Sequence, residues 1–341
     1  MELGITTFAE TIPDPRTGHA PSSGERLRQV IDEVVMAEQV GLDVYGIGEH
    51  HRADFAASAP AVVLAAAAAR TEGIRLSSAV IILSSADPVR TFQEFATLDL
   101  ISRGRAELLV GRGSFIESFP LFGFSLADYD ELFSEKLDLL LRIRDQERVT
   151  WSGKFRPALD DQPVYPRPEQ DPLPIWIGVG GTPESIVRAG RLGLPVALAI
   201  IGGNPDRFAF FADLHRRTLE ESGFDPEAVP LAVHAHGYVS DTTERAVEEF
   251  YPSYAVAMTR IGRERGWGPM TRPQFDMMRG PEGSLVLGSP EDVAAKILRM
   301  REVLGIQRFE LHISVGSMPH DQVLRSIELL GTKVAPLVNA G

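Results

Sequence analysis

Three short stretches of this sequence hold residues whose types and spacing could do chemistry. Glu49-His50-His51 sets two imidazoles beside a carboxylate. Imidazole titrates near neutrality and can give or take a proton, and adjacent polar groups are costly to bury unless solvated, paired or used. In Gly111-Arg112-Gly113-Ser114 two glycines flank a guanidinium. The glycines let the backbone approach a ligand closely, and the planar fork matches a phosphate. In Gly178-Val179-Gly180-Gly181-Thr182-Pro183-Glu184-Ser185, Thr182 reads as an N-cap and Pro183 as the first helical residue. A helix beginning there points free amides and a positive dipole end at an anion. Each stretch also has a structural reading: a packed histidine, a surface ion pair, an ordinary glycine turn.

These groups can cooperate only if the fold brings them together, and the hydrophobic pattern says how. Short apolar runs at 3–8, 42–47, 74–83, 106–110, 175–179, 195–201, 231–239 and 308–313 read as eight strands. Helical spacing follows each one, for example at 88–102, 128–146, 183–192 and 290–304. The last of these has Ser289 as N-cap, Pro290 at N1 and Gly305 beyond its end. Eight alternations predict an α/β fold, a TIM (β/α)8 barrel over residues 1–341 with insertions in the βα loops, at about 147–172 and 242–287. The first insertion reads as a loop or hairpin. A split into two domains near residue 170 is the rival.

In such a barrel the working residues follow the strands. Residues 49–51 then follow the second strand, 111–114 the fourth and 178–185 the fifth. The central expectation is that Arg112 and the amides opening the helix after the fifth strand converge on one anionic group. Neither G-x-G-x-x-G nor G-x-x-x-x-G-K-[ST] is present, so a Rossmann or P-loop assignment fails on the residues.

Composition narrows the classes further. The 341 residues contain no cysteine, which excludes disulfides, thiolate nucleophiles and Cys-ligated metals. The net charge of −13, with no basic run, opposes binding to nucleic acid or anionic membranes. No signal peptide is apparent, and the longest small-apolar run, 59–69, is too short to span a bilayer. The expected location is cytoplasmic.

Five segments in order now carry a family resemblance: Glu49-His50-His51; Asp87-Pro88-Val89-Arg90; Thr97-Leu98-Asp99-Leu100-Ile101-Ser102-Arg103-Gly104-Arg105; Gly111-Arg112-Gly113; and Pro174-Ile175-Trp176-Ile177-Gly178. The series resembles the bacterial luciferase-like monooxygenases over nearly the whole chain. That resemblance implies a TIM barrel binding FMN at its C-terminal face, and a monooxygenase using reduced FMN and O2 on a small organic substrate. It implies a flavin reductase as functional partner and, by analogy, a homodimer. His50 matches the family's active-site histidine, Arg112 the arginine on the FMN phosphate, and Gly180, Gly181 and Thr182 the loop wrapping that phosphate. Ala79-Val80 falls where the luciferase branch has a non-prolyl cis peptide under the flavin ring. Ala199 and Ile200 match positions beside the ring. Gly111 stands where luciferase itself carries a cysteine, a departure from the pattern.

The same superfamily includes users of the deazaflavin F420, an alternative cofactor. Gly-Arg-Gly-Ser followed by Phe119-Pro120-Leu121-Phe122-Gly123 is closer to the FMN branch. A different class remains as well: a metal-dependent barrel hydrolase using His50, His51, His234, His236 and Asp54. His234 and His236 lie two apart on the seventh strand and share a face. They either join the site or pack in the helix layer. Asp99 and Arg105 are expected to fix the corner between helix and fourth strand. Phe115, Phe119, Phe122, Phe124 and Tyr129 either pack or line a substrate pocket, and Trp267 with residues 266–287 is read as a lid.

Overall fold

The computed structural model describes residues 1–113, 115–316 and 318–341. Eight strands form its central sheet: β1 (Glu2–Thr7), β2 (Val44–Ile47), β3 (Arg75–Ser78), β4 (Ala106–Gly111), β5 (Ile175–Val179), β6 (Val196–Ile200), β7 (Leu231–Val239) and β8 (Arg308–His312). All neighbours run parallel, and β8 returns to pair with β1, Gly4 opposite Glu310. The sheet is closed, with helices around it: a TIM barrel.

Alternation along the strands divides the apolar residues into two layers. Leu109, Trp176, Ala197 and Ala232 form a small cluster with Ala79, while Leu108, Ile175, Ile177, Leu198, Ile200 and Val233 join the large outer core. The inward residues include several alanines. Small side chains inside a barrel fill less of it, and room is left above them.

Local chemistry explains the element ends. Asp87 accepts from the amides of Val89 (2.9 Å) and Arg90 (3.1 Å), starting the helix Pro88–Ser102. Asp99 and Arg105 fix the corner as expected: Asp99 accepts from the Ala106 amide, and Arg105 donates to the carbonyls of Ala68, Thr71, Ile74 and Ser102. The helix Pro290–Leu304 begins at Ser289, which accepts from the Asp292 amide, and ends at Gly305 with φ 63°. Residues 147–172 contain an antiparallel hairpin, Arg148–Trp151 with Leu159–Pro163.

Three elements differ from the sequence expectation. The third strand is not continuous over 74–83: it leaves the ladder at Ala79–Val80, where the peptide is cis, and resumes only at Ile81–Ile82. Within 242–287, beyond the helix Thr243–Glu264, lie a further helix, Arg272–Arg279, and a short strand, Val286–Gly288, that extends β7. The further helix has its own signal, a capping box between Thr271 and Gln274.

Candidate active site

At the C-terminal ends of the strands lies a cavity of about 340 Å3, bounded by Thr6, Phe8, Ala79, Val80, Arg112, Gly180, Thr182, Ala199, His234, His236 and His312, among others. Its volume falls in the range of small-molecule sites. A broader groove of about 990 Å3 lies outside the barrel, along the helices Pro60–Ala68 and Pro88–Ser102.

One side of the cavity is built for an anion. β4 delivers Arg112, whose Nη2 donates to Thr182 Oγ1 at 2.9 Å, while Nη1 pairs with Asp130 at 2.5 Å. Thr182 opens the helix Pro183–Arg191 but makes no side-chain capping bond there. The hydroxyl that could cap the helix is turned to the guanidinium; in the first turn Pro183 has no amide hydrogen and Ser185 donates to the Thr182 carbonyl at 3.1 Å, which leaves the Glu184 amide without an acceptor among the hydrogen bonds of the described residues. A Cβ added at Gly180 or Gly181 would meet nothing within 4 Å, and Gly181 has φ 116°. Guanidinium and helix start therefore meet, in space that an anion can enter. Ser114, the last residue of the predicted arginine turn, lies outside the described residues.

The apolar wall comes from the break in β3. Val80 stands against two glycines: a Cβ at Gly111 would come within 2.8 Å of Val80 Cγ2, and one at Gly178 within 2.8 Å of Val80 Cγ1. The departure at Gly111 thus has a steric reason. Ala199 lines the cavity as expected, but Ile200 does not. Successive strand side chains point to opposite faces, so Ile200 is fully buried in the outer core, and Ile201, 43% exposed, takes the lining position.

Four histidines surround or approach this space. His50 is held in an aromatic clamp, with Phe8 and Phe55 at 4.4 Å and Phe115 at 5.2 Å, and its Nδ1 is buried without a hydrogen-bond partner. Burial, with lesser repulsion from His312, His51 and Arg52, pushes its pKa down to about 3. His236 also has an unpartnered buried Nδ1, and burial with His312 nearby lowers it to about 3. His234 Nε2 lies 3.1 Å from Glu310 Oε1, outside hydrogen-bond geometry. His312 is the exception: Nε2 meets Glu10 Oε1 at 3.0 Å and Nδ1 meets Thr6 Oγ1 at 3.1 Å. His51 serves the loop, pairing at 2.7 Å with Glu49, which also accepts from the Ile82 amide.

The sequence placed Arg112, Thr182, Gly180, Ala79, Val80 and Ala199 on one cavity, and the structure brings them together. Gly181 adjoins it. His50 packs behind Phe8, which lines the space. Thr6 and Glu10 were missed. The polar Thr6-Thr7 and Glu10 at the end of the first strand were the available signal. Among the described residues no group of three or more His, Asp or Glu stands close enough to hold a metal ion. Asp54 instead pairs with Arg260 and Arg52. The hydrolase alternative lacks its ligand set.

The family model described as luciferase-like monooxygenase matches residues 1–308. The chain belongs to the luciferase-like monooxygenase family. Among relatives in the family, an N-acetyl-S-alkylcysteine monooxygenase of Bacillus subtilis is 26% identical over 338 residues, 93% of this chain and 95% of that protein. An F420-dependent glucose-6-phosphate dehydrogenase of Amycolatopsis mediterranei is 31% identical over 175 residues, 49% of this chain and 51% of that one. Among solved structures, the oxygenating constituent of 3,6-diketocamphane monooxygenase from Pseudomonas putida, in complex with FMN, superposes with a TM-score of 0.77. It is 20% identical and covers 98% of both chains, a likeness of fold. Family membership supports an oxidoreductase with a flavin-type cofactor. No helix among the described residues is long and apolar enough to cross a membrane.

Proposed function

We propose that this chain is a monooxygenase that binds reduced FMN, delivered by a flavin reductase, and uses O2 to oxidise a small organic substrate. The observation that carries the reading is the 2.9 Å contact between Arg112 and Thr182 at an uncapped helix start, beside two glycines with open space around them. A guanidinium and a helix start at one point suit a phosphate monoester. When bound, the reduced flavin supplies the electrons that activate O2.

The residues then divide the work. Arg112, Thr182 and the amides near Gly180 and Gly181 hold the phosphate. Val80, Ala79 and Ala199 give an apolar face against which a flat ring can lie, and Ile201 extends it. Phe8 and the Phe55–Phe115 cluster keep water from His50. Held neutral at pH 7, His50 accepts or passes on a proton through its unprotonated nitrogen. The full-length match to a relative named as a monooxygenase supports the oxygenase branch. F420 remains the second reading because the F420-dependent relative is more identical, although over half the chain.

Anaerobic titration with reduced FMN and with reduced F420 tests the choice. FMN should bind more tightly, and Arg112→Ala should weaken it by about 10- to 100-fold, the worth of one or two charge-assisted hydrogen bonds. Riboflavin, which has no phosphate, should bind both proteins alike. Tighter binding of F420 would move the protein to the second reading, and binding of neither would end both. The proposal extends to the cytoplasm as the setting, and to a homodimer through the groove flanked by exposed Val62, Ile101 and Phe122. Sedimentation at micromolar concentration tests the dimer.

A further inference from the structure

Beneath the cavity a line of buried polar groups leads away from it between β1 and β8. Thr6 Oγ1, on the cavity wall, meets His312 Nδ1 at 3.1 Å. His312 Nε2 meets Glu10 Oε1 at 3.0 Å, and Ser314 donates to Glu10 Oε2 at 3.1 Å. Thr6, His312, Glu10 and Ser314 are each no more than 4% exposed. On the far side of Glu10 is a narrow polar cleft of about 10 Å3, bounded by Arg26, Glu33, Ser314 and His320 among others. That is room for about one water. His320, with a quarter of its side chain exposed, stands at the outer edge, 3.3 Å from Glu33.

We propose that Thr6, His312 and Glu10 form a proton relay between this cleft and the cavity. His312 is its proton carrier, and Glu10 is the carboxylate that orients and recharges it. The need for a proton rests on the function proposed above, since reduction of O2 to water takes up protons at the cavity. In the delivering step the Thr6 O–H gives its proton to the acceptor in the cavity. Thr6 Oγ1 takes the proton from His312 Nδ1 as Nε2 takes one from Glu10, so the ring stays neutral and its proton is left on Nε2. A proton entering through the cleft reloads Glu10, and reorientation of the ring returns its N–H from the Glu10 side to the Thr6 side and restores the starting state. No electron moves.

The neighbours fit these roles. Arg26 cannot carry a proton, because a guanidinium does not deprotonate in a protein. Glu33, although burial alone would raise it, is held at about 2 by Arg26 and by its hydrogen bonds, so it stays ionised. Glu10 is left as the carboxylate that touches both histidine and cleft. The groups facing His312 are Glu10, Thr6, Phe8 at 4.3 Å and His236 at 5.3 Å between ring centres, with His50 beyond Phe8. His50 and His236 have no carboxylate partner among the hydrogen bonds and ion pairs described here. His312 does, and that contact is the path by which a proton can reach its ring.

The test has an arm that needs no flavin. In the flavin-free protein, labelled at histidine ring nitrogens, the His312 ring N–H should exchange with solvent. Glu10→Gln, which preserves shape, should slow that exchange by about tenfold or more; unchanged exchange would overturn the relay whatever the cofactor. The second arm mixes the complex with reduced FMN against oxygenated buffer and follows the flavin absorbance. His312→Gln and Glu10→Gln should each slow the change by about 100-fold, the usual loss for a general acid–base group. Reduced-FMN affinity should stay within about twofold. Unaltered rates, or affinity falling in step with rate, would overturn the proposal. If reduced FMN does not bind even the unaltered protein, the function reading fails, and ring exchange alone decides the relay.

Discussion

At the N-terminal end of the barrel, Arg308 is 4% exposed and commits its whole fork to neighbours. It donates to both oxygens of Glu107 at 2.6 and 3.0 Å and to Glu2 at 2.7 Å, and stacks 4.4 Å from the Trp176 ring. At the open end His236 is 8% exposed and leaves Nδ1 without a partner, and His50, 7% exposed, does the same. Both ends bury polar atoms, but Arg308 satisfies its own internally while His50 and His236 keep hydrogen-bonding capacity unspent. An unmade buried hydrogen bond costs about 1–3 kcal/mol. Such a cost is tolerated where a ligand completes the bond.

The largest effect that could break this contrast is at Arg308. Arg308→Leu should destabilise the fold by about 3–5 kcal/mol, because Glu107 would stay buried with only Arg75 beside it. Removing both partners, as in Arg308→Leu with Glu107→Leu, should recover much of that loss, and flavin affinity should hardly change. Urea unfolding measures the first two and anaerobic titration the third. A comparable loss of flavin affinity would mean that the two ends are coupled.

Acid should expose the opposite weakness. His50 and His236 are held near pKa 3 in the fold, below the 6.5 of an unfolded chain. As pH falls below about 6.5, the unfolded chain takes up protons that the folded one refuses, so stability drops. The slope approaches about 1.4 kcal/mol per pH unit for each group. Between pH 6.5 and 5 most carboxylates are still ionised, so the histidines dominate this window. Burial also lowers His215, so His236→Gln should flatten the slope of unfolding free energy against pH by about a third. An unchanged slope would show that His236 is not held neutral.

Much of this was legible from residue types. β5, β7 and the helices Pro88–Ser102 and Pro290–Leu304 follow from periodicity and caps, because their apolar faces and end residues agree. Arg112 and Thr182 could be placed at one mouth because a barrel puts every strand end there. Three things were not legible. The break in β3 lies in an apolar run whose pattern suits a continuous strand. Ile200 and Ile201 are chemically alike, so only the register of β6 decides which lines the cavity. The pairing of Glu10 with His312 joins residues 302 apart in sequence, and no local pattern records it.

Gly111 offers a smaller test of the open end. Its added Cβ would fall 2.8 Å from Val80 Cγ2, well inside contact distance. Gly111→Ala should cost about 1–3 kcal/mol in stability through overpacking. It should also displace Val80 and weaken flavin binding, whereas an alanine at exposed Gly202, where a Cβ meets nothing, should do neither. If Gly111→Ala binds flavin normally, Val80 is not the face on which the ring rests.

The finest test sets two helix starts against each other. Asp87 caps the helix Pro88–Ser102 with two hydrogen bonds, whereas Thr182 leaves the helix Pro183–Arg191 without a side-chain cap and turns its hydroxyl to Arg112. Asp87→Ala should therefore cost about 0.5–2 kcal/mol of stability and leave flavin affinity unchanged. Thr182→Val keeps the shape and deletes an oxygen that caps nothing. Stability should hold within about 0.5 kcal/mol, while FMN affinity falls by about 2- to 10-fold, the worth of one modest hydrogen bond holding the guanidinium in place. The two variants should thus separate on two axes, melting temperature and FMN titration. If Thr182→Val lowers stability as much as Asp87→Ala does, the threonine is an ordinary cap and the open helix start is not reserved for an anion.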